Sequence, residues 1–236
     1  DCPGYFDFAG EVAAAIRVAE GAIIVCSAKD GLSVGAERSW KTLKAANLPC
    51  MFYISKIDEE NGNFQNVFDS IKEKYGSVVC AVTVPMSNGN GIIDIVHNVA
   101  YETKSNKTTK CDIPAEDADM AASYRETLME TAAGASEELM EKYFDTMELS
   151  EAEIVEGIRL GLLDHSVVPV LCGSAVTGVG TEAVMSAVAD YMPSPLDAPA
   201  PKDVDGNDVK CDPNGTVAAF VFKTVSDQFG KFSFVK

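Results

Sequence analysis

The sequence predicts an α/β protein built on a parallel sheet, with an α+β insertion and, after it, the first strands of an all-β unit. Three observations carry that reading. Short unbroken apolar runs, AIIVCSA, CMFYIS and SVVPVLCGSA, alternate with helical segments, as strands do when both faces of a parallel sheet are covered. Between the second and third runs the texture changes to strand, turn and strand, followed by helices. Beyond a proline-rich stretch, GTVAAFVFKTV and GKFSFVK alternate like two strands of a new unit.

In chain order, FDFAGEVAAAIRVAEG reads as a helix, AIIVCSA as a strand, residues 34–47 as a helix and CMFYIS as a second strand. After a helix over 64–75, SVVCAVTVPM and GIIDIVHNVAYE read as strands on either side of the turn signal SNGNG. One long acidic helix is expected over 115–144. Pro114 and the acids Glu116, Asp117 and Asp119 suit its start and Lys142 its end. Met120, Tyr124, Leu128, Ala132, Ala135, Leu139 and Tyr143 advance by threes and fours to form its apolar face. Ser150 and Glu153 have capping-box spacing and announce another helix. SVVPVLCGSA, a glycine-rich turn and TEAVMSAVADYM then restore the α/β alternation, before Pro193, Pro195, Pro199 and Pro201 mark a linker. The expected domains are an α/β core over 1–75 and 165–192, an insertion over 76–164, a linker over 193–210 and the start of a β unit over 211–236.

Composition narrows the function. With 47% apolar residues in 236, the chain has the means to pack a core, which excludes a disordered protein. No stretch approaches the ~18 apolar residues of a membrane helix and no charged-then-apolar leader opens the sequence, so no membrane contact is expected. The 36 acidic residues exceed the 19 basic ones by 17, which disfavours direct contact with nucleic-acid phosphates. The seven cysteines are odd in number, widely spaced and mostly set in apolar runs, the usage of buried thiols in a reducing, cytoplasmic setting. With no Cys-x-x-Cys pair, a zinc site is not expected. His97, His165 and Trp40 are read as structural.

Three short elements carry candidate chemistry. Asp1-Cys2-Pro3-Gly4 could place Asp1 on a magnesium ion through water and bring the Gly4 amide to a terminal phosphate, although Asp, Pro and Gly also make ordinary turns. Ser55-Lys56-Ile57-Asp58 follows CMFYI. There a carboxylate could accept both N–H groups of a guanine edge while the lysine stem lies along the base or ribose; a solvated turn is the alternative. Gly173-Ser174-Ala175 follows VPVLC, and its small residues would let backbone amides approach the base oxygen, or would simply make a tight turn. The last two sit at strand ends, where open α/β sheets bind ligands.

DCPGYFDF, SKID, the CGSA turn, TLMETAAGASEELMEKYF, the YMPSPLD linker and AAFVFKTV with GKFSFVK together resemble the translational GTPases, most closely elongation factor G and its elongation factor G-like paralogues. The resemblance runs over nearly the whole chain. It implies the parallel sheet of a P-loop GTPase, an inserted subdomain and the start of a β-barrel domain. It also implies a nucleotide site of Asp1, Gly4, Ser55, Lys56, Asp58, Ser174 and Ala175, with GTP or GDP and Mg2+ as cofactors, Asp1 reaching the metal through water. The implied partners are the ribosome and, through the insertion, the ribosomal stalk protein.

The departures shape the expectation. Such factors carry a Gly-x-x-x-x-Gly-Lys-Ser/Thr phosphate loop and a first switch ahead of the Asp-x-Pro-Gly element, and the 236 residues contain neither. By themselves they are expected not to hydrolyse GTP, to hold no nucleotide tightly, and to self-associate through an open sheet edge. Tyr5 stands where elongation factor G has a histidine that positions the attacking water, and a phenol, with a reference pKa near ~10, is a poor base at neutral pH. Ser55 replaces an asparagine that ties the base loop to the phosphate loop. The rival readings are a non-hydrolysing ribosome-docking module, or a ribosomal protection or release-factor GTPase.

Overall fold

The structure, a computed structural model, describes residues 1–105 and 107–236. Contacts divide it into two compact units, Ala22–Met192 on one side and Asp1–Gly21 with Pro193–Lys236 on the other.

The larger unit is organised by a four-stranded parallel sheet. Its strands β1 (Ala22–Ser27), β2 (Cys50–Ser55), β3 (Val79–Ala81) and β8 (Val168–Cys172) lie in the order β1-β2-β8-β3. The two central strands are the most apolar, and their residues Met51, Phe52, Ile54, Val170 and Cys172 are fully buried. In β1, by contrast, only Ile24 and Cys26 are buried and Val25 is 61% exposed. Burial on both faces therefore holds for β2 and β8, while β1, at the end of the sheet, is covered on one face. Helices α2 (Val34–Ala45) and α3 (Phe64–Tyr75) start on Ser33 and Asn63, whose side chains accept the Ala36 and Asn66 amides. They enclose Trp40, whose ring lies 5.7 Å from Phe52 and 4.6 Å from Tyr75. His165 is buried beside Trp40, with its Nε2 3.0 Å from the Leu48 carbonyl, which fits a structural residue.

The insertion differs from expectation in four places. SVVCAVTVPM is two strands: β3 joins the parallel sheet and β4 (Thr83–Pro85) turns away from it, because Val82 donates its amide to Val170 and accepts one from Ile95. Val79–Ala81 thus pair within the parallel sheet. GIIDIVHNVAYE is likewise a hairpin of β5 (Gly91–Asp94) and β6 (Val99–Lys104). Asp94 folds the turn between them by accepting from the His97 amide at 3.0 Å and approaching its Nδ1 at 2.8 Å. With β7 (Lys107–Cys111), which the apolar pattern did not reveal, these strands form the antiparallel sheet β4-β5-β6-β7.

The long acidic helix is also two helices, α4 (Ala118–Ala133) and α5 (Glu137–Thr146). Gly134 ends the first, and the Ser136 hydroxyl caps the second by accepting the Leu139 amide at 3.2 Å, so polar capping breaks a continuous apolar stripe. Asp117 is fully buried, and its carboxylate accepts from the amide and hydroxyl of Ser87, tying the β4–β5 turn to the start of α4. Helix α6 (Glu151–Asp164) opens on the expected box, the Ser150 hydroxyl accepting the Glu153 amide and Glu153 accepting the Ser150 amide at 2.9 Å. Helix α7 (Thr181–Tyr191) follows β8.

The smaller unit joins both ends of the sequence. A 3-10 turn at Phe6–Phe8 leads into α1 (Ala9–Ile16), and β9 (Val221–Asp227) pairs antiparallel with β10 (Gly230–Val235). Ion pairs Lys223–Glu11 and Lys236–Glu20, with the Arg17 guanidinium 4.8 Å from the Phe220 ring centre, hold them together. Residues 1–21 therefore group with 193–236 and not with the sheet. Among the described residues no helix is long and apolar enough to cross a membrane.

Two measurements probe this packing. A Cβ on Gly157 of α6 would lie 2.5 Å from the Ala132 carbonyl oxygen and 2.9 Å from its Cβ, so Gly157→Ala must push α4 and α6 apart. It is expected to destabilise by about 1–3 kcal/mol in denaturant unfolding, whereas unchanged stability would mean that the helices do not pack this closely. Burial pushes the thiols of Cys50, Cys80 and Cys172 from 9.0 up to about 12. Above pH 9 the unfolded chain loses thiol protons that the folded one keeps. Stability is therefore full below that pH and falls as pH rises toward 12, and an unfolding midpoint that holds constant across this window would contradict the buried placement.

Candidate functional site

Parallel strands end together, and β2 and β8 deliver two loops to one edge of the sheet. Ile54 pairs with Cys172 at the last register position. Past it the Gly173 amide donates to Ile54 at 3.0 Å and the Ile57 amide donates back to Gly173 at 3.5 Å. Segments far apart in sequence, 55–58 and 173–175, are thereby joined through backbone.

The first loop is held from below. Ser55 donates its hydroxyl to the Cys26 carbonyl at 3.0 Å, and its own carbonyl accepts the Ala28 amide at 2.8 Å, so both side chain and backbone bind it to β1 and the turn that follows. Lys56 adopts a left-handed backbone, φ 60°, uncommon for a residue with a side chain, and its carbonyl accepts the Glu59 amide at 3.2 Å. Asp58 is exposed, and its carboxylate makes no hydrogen bond or ion pair among the described residues. An acidic group presented by a braced turn with its acceptors open can receive two donors from a ligand.

The second loop is drawn tight. A Cβ on Gly173 would lie 2.4 Å from the Val179 carbonyl oxygen and 2.6 Å from the Tyr53 hydroxyl, so the position accommodates only glycine. Ser174 is 1% exposed. Its amide donates to Val179 at 2.9 Å, its hydroxyl accepts the Thr177 amide at 3.2 Å, and its carbonyl accepts the Gly178 amide at 3.0 Å. Ser174 therefore shapes the turn from inside, and Ala175 beside it is exposed. Tyr53 lies against this loop; burial first, and then the neighbouring Cys172 and Asp58, push its phenol up to about 12.

The other predicted residues lie in the smaller unit. Residues 1–4 are exposed and irregular, Gly4 would have open space around a Cβ, and Tyr5 is 80% exposed at the head of the Phe6–Phe8 turn, with its carbonyl accepting the Phe8 amide at 3.0 Å. No three His, Cys, Asp or Glu side chains among the described residues are grouped as metal ligands. Sequence reasoning missed Lys29 and Glu59. Glu59 Oε2 is 3.2 Å from Lys29 Nζ and its Oε1 is 3.7 Å from Lys56 Nζ. No pattern in the sequence joins them: Lys29 follows β1, and its meeting with Glu59 depends on Ser27 pairing with Ser55.

The profile of the elongation factor Tu GTP binding domain matches residues 1–194. A crystal structure of a protein from Thermus thermophilus superposes with a TM-score of 0.84 at 24% identity, over all of this chain and 34% of that one. The chain thus spans about a third of the length of that protein, and the likeness shows a shared fold. With most of its residues matched by the family profile, the chain belongs to the elongation factor Tu GTP-binding domain family, the translational GTPases.

Proposed function

We propose that the sheet edge carrying 55–58 and 173–175 reads the guanine base of GTP or GDP, and that the full-length protein is a ribosome-acting GTPase of the elongation factor G type. What supports the base site is that the loop after β2, whose exposed Asp58 makes no hydrogen bond or ion pair among the described residues, is joined through backbone to the loop after β8 that carries Ala175. A carboxylate that accepts the two N–H groups of guanine, and an amide that donates to its oxygen, complement that base and mismatch adenine. Lys56 would lie with its stem along the base or ribose and its charge in solvent. Asp1 and Gly4 belong to the phosphate and magnesium side in this reading.

Ribosome docking, contact of the insertion with the stalk protein, a cytoplasmic location and self-association through the β1 edge are parts of the same proposal and rest on family resemblance or strand exposure. Tyr5 favours a second reading, a docking protein that binds GTP without turning it over, because a phenol accepts a proton poorly at neutral pH.

Asp58→Asn tests the base site. The amide replaces an acceptor by a donor, so GDP affinity should fall by tenfold or more, an order-of-magnitude expectation for a lost charge-assisted pair, while xanthosine diphosphate, which carries an oxygen in place of the 2-amino group, should gain. A variant that keeps its GDP affinity would remove Asp58 from the site. Turnover separates the two readings of Tyr5. The proposal expects ribosome-stimulated GTP hydrolysis by the full-length protein with Tyr5 in place, whereas tight binding without turnover, restored by Tyr5→His, would establish the docking protein.

A further inference from the structure

The two lysines at this edge are organised by one carboxylate. Lys29 stands in the turn after β1, where the Ser27 hydroxyl accepts the Lys29 and Asp30 amides, both at 3.2 Å. Glu59 lies between Lys29 and Lys56 and gives each ammonium its own oxygen, Oε2 to Lys29 and Oε1 to Lys56, so the two pairs do not compete. Its side chain is 36% exposed against about half for each lysine. The backbone beneath is continuous: Ala28 donates to Ser55, Asn63 donates to Ala28 at 2.9 Å, and Gly62 donates to Glu59 at 2.8 Å. The turn after β1 and the loop after β2 are thus one braced element.

A lysine stem has several rotatable bonds, and stacking it on a ligand costs the freedom of each. A carboxylate that already restrains its ammonium removes part of that cost before the ligand arrives. Resting on the nucleotide reading of Lys56, we infer that Glu59, anchored by Lys29, is a positioning residue that pre-sets Lys56 for the guanine nucleotide, which makes the turn after β1 part of the binding site. Neither residue touches the nucleotide in this arrangement. The pairs are half solvated and screened, so their effect is modest and falls with ionic strength.

The test is a double-mutant cycle on the full-length protein, with GDP affinity measured by a fluorescent GDP analogue at low salt. Glu59→Gln and Lys29→Met are each expected to weaken GDP binding by about two- to fivefold, the range a partly exposed ion pair carries. In a Lys56→Met background both effects should vanish, because no ammonium remains to be positioned. If Glu59→Gln weakens GDP equally with and without Lys56, the residue merely supports the loop and the inference is overturned. Unchanged GDP affinity in Glu59→Gln overturns it as well. Asp58→Asn in the same assay separates this failure from that of the underlying reading: if Asp58→Asn loses GDP while Glu59→Gln does not, the base site stands and only the positioning role falls. If neither the parent protein nor any variant binds GDP, both fall.

Discussion

The bond from the Gly173 amide to the Ile54 carbonyl is the constraint on which the rest of the site depends. It continues the parallel pairing of β2 with β8 one step beyond the sheet, where the chain leaves regular structure on both sides. With the bond that the Ile57 amide returns to Gly173, it joins the Asp58 turn to the Ala175 turn. The bond needs the strands in this register, which is set by apolar side chains that are fully buried on β2 and β8. A slip by one residue would turn Phe52 and Ile54 to the opposite face.

Packing also explains why the loops are braced while their functional groups are open. Polar groups that shape the edge are used internally: the Ser55 hydroxyl on Cys26, all three polar groups of Ser174 within its own turn, and Glu59 on two lysines. Among the described residues the Asp58 carboxylate makes no hydrogen bond or ion pair. A group held in place by its neighbours, with its acceptors open, meets a ligand with little further ordering. The left-handed Lys56 belongs to the same arrangement, since strained backbone persists where surrounding bonds over-determine it.

Most of the architecture was legible in the sequence, and the misses have physical causes. Unbroken apolar runs reveal central strands, and CMFYIS and VPVLC lie at the middle of the sheet. They reveal less about boundaries: SVVCAVTVPM is uniformly apolar across Val82, where the chain changes sheets, and only tertiary hydrogen bonds mark the point. The stripe from Met120 to Tyr143 hid a helix break, because side-chain periodicity continued through Gly134 and Ser136 while the backbone did not. β7, KTTKC, lacks the apolar signal because it lies at the edge of its sheet. At the site, the pattern pointed to Lys56 and Asp58 but not to Lys29 and Glu59, whose meeting depends on β1 pairing in register with β2.

The most direct measurement is a paired titration of GDP and inosine diphosphate into the full-length protein. The two ligands differ only in the 2-amino group, whose N–H the Asp58 carboxylate accepts in the proposed site. Loss of one hydrogen bond to a charged group corresponds to about 1.5–3 kcal/mol, so the account predicts that inosine diphosphate binds roughly tenfold to a hundredfold more weakly. Equal affinities would contradict it, because the edge formed by β2 and β8 would then not be reading guanine through Asp58.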